Sequence, residues 1–181
     1  MSLSLAQAYL EQAKADYSSY TIIRQTPKQP SSQWLHLLQM TLEKTAKAYL
    51  AASGDDFNRL RESHRAFGRF IRILPRNRGV RANLNMDAIQ LQRHIKNLTP
   101  LVDNLERLVP SRENQGATAE YPWRNPHGGF YSPCLYGFND IISGLDTARG
   151  RNLLRILERS LEDTAWHSAF GITSASDHTE N

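Results

Sequence analysis

The sequence predicts an all-α fold, a bundle of about five helices with one long ordered loop before the last of them, and three observations carry that reading. Apolar residues return at three- and four-residue spacing along most of the 181 residues. No run alternates apolar and polar residues over the length of a convincing strand, and no internal repeat is present. Proline and glycine gather at a few points, which divide the chain into helices and turns.

From Leu3 to Arg24 the residues Ala6, Leu10, Ala13, Tyr17 and Tyr20 recur at helical spacing, with no proline or glycine before Pro27. The stretch "TPKQPSS" makes a turn and offers Ser31 or Ser32 as a cap for a second helix. In that helix Trp34, Leu35, Leu38, Leu42, Ala46 and Tyr49 share an apolar face, His36, Glu43 and Lys47 lie opposite, and Gly54 supplies the stop. Asp55 or Asp56 caps a third helix that runs to about Leu74. A fourth begins around Asn85, carries Ile89, Ile95, Leu98, Val102 and Leu105, and is kinked or split at Pro100. Residues 110–137 hold four prolines and four glycines, and their aromatics, with Phe138 just beyond, imply an ordered loop packed on the bundle. A last helix from about Phe138 to Phe170 completes a single helical domain over 1–170, and 171–181 read as a disordered tail.

A chain of this length buries about two-thirds of its unfolded surface and needs neither metal nor disulfide to fold. Cys134, the one cysteine, forms no intramolecular bridge. No leader-like segment and no apolar run near twenty residues is present, so the expectation is a cytoplasmic protein outside the membrane. No cluster of histidine, cysteine and carboxylate has ligand spacing, so neither a metal nor another cofactor is expected. The net charge of +4 conceals a skew, because 17 of the 22 basic residues are arginine. Arginine's planar fork suits phosphate and carboxylate, and the skew leans towards anionic partners; codon preference explains it equally well.

The arginines concentrate in "RLRESHRAFGRFIRILPRNRGVR", residues 59–81, which holds eight of them beside one acid. On a helical wheel over 57–76, Phe57, Leu60, His64, Phe67, Ile71 and Leu74 fall within about 100° of one another, and Arg61, Arg65, Arg69, Arg72 and Arg76 within a neighbouring arc of about 80°. A solvated face would normally interleave glutamates with such a strip. Three readings follow: a nucleic-acid contact, an acidic partner or second subunit, or a wet face whose arginines pair with acids from neighbouring helices. His64 on the apolar side reads either as a core residue or as a general acid or base facing a cleft.

The second helix "LHLLQMTLEKTAKAYLAASG", preceded by "AKADYSSY" and followed by "SHRAF", resembles HEPN domains (higher eukaryotes and prokaryotes nucleotide-binding). The match falls on Asp16, Gln39, Glu43, Lys44, Lys47, Ala48, Leu50 and His64, and "AEYPW" is similar to a tyrosine-proline segment that some of these domains carry before the last helix. The resemblance implies an all-α bundle that dimerises through helices and works on RNA. Active members cleave RNA without a metal through an arginine and a histidine four to six residues apart, which here implies Arg59 and His64. The arginine neutralises the scissile phosphate and the histidine moves the proton of the 2′-hydroxyl or the leaving oxygen. In a continuous helix five steps set Arg59 about 140° from His64, so the two converge only if Arg59 lies in a cap region or acts with a second subunit.

Other candidates are Arg149 on the apolar side of the last helix, with Asp16 or Glu43 as partners if it is buried, and the loop aromatics, which either pack on the bundle or stack on bases. The leading expectation is a homodimeric bundle that binds RNA or another anionic partner through Arg61, Arg65, Arg69, Arg72 and Arg76; whether it is also an enzyme stays open, and as one it is a metal-independent endoribonuclease of toxin or defence type with Arg59 and His64 catalytic. The alternative is a non-catalytic helical module for dimerisation and for holding an acidic protein partner.

Overall fold

The computed structural model describes residues 3–109 and 116–172, and the described residues form nine α-helices and one two-stranded ribbon. Helix α1, Leu5–Gln25, opens on a capping box in which the Ser4 side chain accepts from Gln7 N and the Gln7 side chain accepts from Ser4 N. Helix α2, Ser31–Ala52, starts after Pro30 with no side-chain cap, so neither Ser31 nor Ser32 serves as one. Gly54 follows it at φ +92°, where a side chain would be strained.

α2 is the hub of the bundle. Trp34, Leu35, Leu38, Leu42, Ala46, Ala48, Tyr49 and Leu50 are all buried, and so are Gln39, Thr41, Glu43, Thr45 and Lys47 on its other sides. The wheel assigned Glu43 and Lys47 to water. They are covered because neighbours pack on α2 from several directions, leaving no wet face along its middle.

The arginine-rich stretch departs furthest from expectation. It forms α3, Phe57–Arg61, a turn at 62–65, α4, Ala66–Ile73, a short 3-10 turn at Leu74–Arg76 and α5, Arg78–Leu84. Asp56 caps α3 by accepting from Asn58 N at 2.9 Å and Arg59 N at 3.2 Å. Asn77 caps α5 by accepting from Val80 N at 3.1 Å. Asn85 ends α5 in the left-handed region at φ 51°, so the next helix starts at Ala88 and not near Asn85.

Helix α6, Ala88–Glu106, has a capping box between Asp87 and Gln90 and runs through Pro100 without splitting. Leu91, Ile95, Leu98, Leu101, Val102 and Leu105 form its buried stripe while Pro100 faces water.

In the loop before the last helices, β1, Trp123–Arg124, pairs antiparallel with β2, Phe130–Tyr131, in the register Trp123 to Tyr131 and Arg124 to Phe130. Gly128 and Gly129 take positive φ in the connection, and Gly128 N donates to Asn125 O at 3.0 Å. Residues 110–115 of the loop lie outside the described residues.

The expected last helix is three: α7, Asn139–Asp146, α8, Ala148–Glu162, and α9, Thr164–Ala169. Thr147 caps α8 through Gly150 N at 3.1 Å, and Asp163 caps α9 through Ala165 N at 2.9 Å. At the first break a Cβ on Gly150 would lie 2.2 Å from Leu145 O, so only glycine lets the chain turn there. The phase change of the apolar stripe beside Arg149 is this elbow, and Arg149 is exposed, with no call on Asp16 or Glu43.

The C-terminal helices close the core around Tyr49. Its hydroxyl donates to Ser160 O at 2.7 Å, and its ring lies 4.7 Å from Phe70 and 4.8 Å from Phe170. Gly171 and Ile172 are ordered, with Ile172 buried and its N–H donating to His167 O at 2.8 Å, so the expected disordered tail does not begin at 171. The rest of that tail, 173–181, lies outside the described residues. No described helix is long and apolar enough to cross a membrane.

Candidate functional site

Three residues of α2 spaced four apart, Gln39, Glu43 and Lys47, stack one turn above another and make a polar ladder inside the core. Lys47 Nζ donates to Glu43 Oε1 at 2.6 Å, and Gln39 Nε2 donates to Glu43 Oε2 at 3.1 Å. The ammonium also sits 5.9 Å from the centre of the Tyr9 ring. A carboxylate and an ammonium at this depth are tolerable only as a pair, since either one alone would face a large desolvation cost. Gln39 Oε1 is buried with no hydrogen-bond partner. Next to Glu43 in the chain, Lys44 reaches back to Asp16 of α1 at 2.5 Å.

The turn between α3 and α4 sets His64 at the mouth of this ladder. Its Nδ1 lies 3.5 Å from Glu43 Oε2, and its side chain is 53% exposed while that of Glu43 is 9% exposed. His64 is therefore neither helical nor a core residue, contrary to the wheel. The separation is longer than an ordinary N–H···O hydrogen bond, so the contact is a through-space attraction.

Behind the turn stands a second carboxylate. Glu106, at the end of α6, accepts from Gly68 N at 2.8 Å and so closes the amino-terminal end of α4. Burial holds its carboxyl above the usual glutamate range, with the backbone N–H groups of Gly68 and Phe67 and the nearby Arg65 pulling the other way. Gln39, Glu43, His64 and Glu106 all border one narrow crevice, too tight to hold a water molecule. Sequence reasoning missed Glu106 and the burial of the ladder. The only signal was the four-residue spacing of Gln39, Glu43 and Lys47.

The five strip arginines do not share one helical face. Arg61 ends α3, Arg65 lies in the turn, Arg69 and Arg72 lie on α4, and Arg76 lies in the 3-10 turn beyond it. Arg69 Nη2 is 2.5 Å from Asp55 Oδ2, so one member is already neutralised. Arg59, Arg61, Arg72 and Arg76 are exposed. Arg76 borders a different cleft, with Ser53 and Phe170, beyond the far end of α4, a helix about 12 Å long at 1.5 Å per residue. What gathers around His64 in sequence is Arg59, Arg61 and Arg65, two on the last turn of α3 and one beside the histidine.

Among the described residues no group of three or more histidine, cysteine and carboxylate side chains could hold a metal. Comparison of the chain with protein-family models, with curated proteins and with solved structures finds no match.

Proposed function

We propose that this chain is a HEPN-like RNA-binding protein that cleaves RNA at the turn between α3 and α4 without a metal, acting as a homodimer. The observation that carries the reading is the placement of His64, an exposed imidazole whose Nδ1 faces the buried carboxylate of Glu43. An acid at that nitrogen favours the tautomer with its proton on Nδ1 and leaves Nε2 free to accept a proton on the solvent side. His64 takes the proton of a ribose 2′-hydroxyl, the oxygen attacks the adjacent phosphorus as the bond to the 5′-oxygen breaks, and the imidazolium so formed returns its proton to the leaving 5′-oxygen, giving a 2′,3′-cyclic phosphate and a 5′-hydroxyl. Arg59 neutralises the phosphate in this scheme, and Arg61 and Arg65 hold the neighbouring backbone. Lys47 and Gln39 fix Glu43, so the ladder orients the histidine without touching RNA.

The test is incubation of purified protein with a mixed RNA pool in EDTA, with His64→Ala and Arg59→Ala as comparisons and folding checked by circular dichroism. Cleavage by the wild type with cyclic-phosphate ends, and none by the folded variants, is the expected result; equal product from the His64→Ala protein rejects it. A second reading draws on one specific feature. Glu43 is already satisfied by Lys47 and Gln39, and the 3.5 Å separation leaves His64 without a firm orienting bond. On that reading the protein is a non-catalytic helical module whose arginines hold an acidic partner, and none of the three proteins cleaves RNA.

A further inference from the structure

Nine large apolar side chains are exposed among the described residues, and five of them, Tyr121, Phe130, Tyr131, Leu135 and Tyr136, fall within 16 consecutive positions. A concentration of that kind on one short segment marks a contact surface. The inner rings of the segment hold one another. Trp123 packs 5.6 Å from Tyr131 and edge-on to Tyr136 at 5.0 Å, and Tyr136 packs edge-on to the buried Phe138 at 4.9 Å. An edge-on contact sets the rim of one ring against a face of the other and leaves both faces of the ring that presents its rim open. Tyr131 and Tyr136 are thus held by neighbouring rings before any partner arrives, and little of their side-chain entropy remains to be lost on binding.

Charge narrows the choice of partner. Between Tyr121 and Asn139 there is no aspartate or glutamate, while Arg124 and His127 are both exposed. The β-register sets Arg124 opposite Phe130, which is 71% exposed, so a cation and an uncovered ring share one face of the ribbon, while Trp123, Tyr131 and the Tyr136 packed on them lie on the other. Beside the ribbon a cleft of about 440 Å³ has Tyr136 and Phe138 as its aromatic wall and Asn104, Arg107 and Asn139 among its polar lining. Asp140, at the start of α7, is the one acid on it among the described residues. Flat rings, amide groups and arginine suit bases with phosphates beside them.

We infer that the β1–β2 ribbon and its adjoining cleft form a stacking platform for the unpaired bases of single-stranded nucleic acid. The platform rests on the reading of RNA as partner, and it adds a holding site separate from the His64 turn. Tyr136 stacks a base at the cleft on the Trp123 face of the ribbon, and the strand continues around the ribbon to Phe130 and Arg124 on its other face, where the ring stacks a second base and the guanidinium meets the phosphates.

Trp123 supplies the readout, because Trp34 and Trp166 are buried and Trp123 alone of the three tryptophans is partly exposed. The probe is a dodecamer of thymidylate, which lacks the 2′-hydroxyl and cannot be cut by the proposed chemistry, with a blunt DNA duplex beside it. The expected result is quenching of Trp123 by the single strand and not by the duplex. Binding should weaken roughly five- to a hundredfold in Phe130→Ala and in Tyr136→Ala, and recover in Phe130→Trp. Absence of quenching, equal affinity of the alanine variants, or a concentration-dependent dimer that Phe130→Ala dissolves would each overturn the platform. RNA cleavage without Trp123 quenching rejects the platform and leaves the His64 chemistry standing; quenching without cleavage does the reverse.

Discussion

Glu106, the last residue of α6, accepts the N–H of Gly68, 38 positions earlier in the chain, at 2.8 Å. This bond lets α4 begin at Ala66, because a helix start with no cap of its own is closed by a carboxylate from another helix. The break in the arginine-rich stretch, and with it the exposure of His64, depends on this tertiary cap.

The first prediction concerns that carboxyl. Its folded pKa is raised by burial above the ordinary value of 4.5, so the stability it contributes is fully present below that value and is lost as pH rises through the folded one. Urea unfolding is expected to show the wild type gaining stability on acidification relative to Glu106→Gln, which can still accept from Gly68. Glu106→Ala removes the cap and is expected to cost about 1–2 kcal/mol at acidic pH, and less as the pH rises through the folded pKa.

Removing one partner of the buried ladder is expected to be worse than removing both. Lys47→Met strands the Glu43 carboxylate in the core and should cost about 3–5 kcal/mol, whereas Lys47→Met combined with Glu43→Leu should recover much of the loss. A double-mutant cycle by chemical denaturation gives the coupling, and additive losses would mean that the pair is not desolvated as described.

Gly150→Ala tests the elbow between α7 and α8. With a Cβ 2.2 Å from Leu145 O, backbone and not a flexible side chain must move, so a loss above about 2 kcal/mol is expected. Gly54→Ala meets nothing within 4 Å and is limited to the strain of its positive φ. Comparing the two melting temperatures separates crowding from backbone strain.

If phosphate binds at the turn, replacing Arg61 and Arg65 together by alanine should lower the slope of log affinity against log salt by about 2, one for each lost contact. Arg69→Ala should change that slope less, because Asp55 already holds its guanidinium. Titration of a fluorescent RNA at several salt concentrations decides between them.

The all-α class, the first two helices and the apolar stripe of α6 were legible because their periodicity is local and one side of each meets the core. The breaks at 62–65, Thr147 and Asp163 were harder to see. Thr147 and Asp163 are good caps, yet they sit inside apolar repeats that also fit a single long helix. Residues 62–65 contain neither proline nor glycine, and the cap that ends the continuity belongs to α6. Glu43 and Lys47 read as a wet face because a wheel knows nothing of the elements packed on the other side. His64 was singled out from sequence as a possible acid or base, but its carboxylate neighbour could be found only once α2 and the turn were seen together.

The bond from Tyr49 to Ser160 spans 111 positions and ties the central helix to nearly the far end of the described chain. During synthesis α1 and α2 can pair as soon as they leave the ribosome, yet the phenol of Tyr49 has no acceptor until α8 follows. At roughly 5–20 residues per second, the 111 positions put on the order of 10 s between the two events. Throughout that interval the nascent chain carries an open apolar seam, a natural place for a chaperone to hold it and for a protease to cut it.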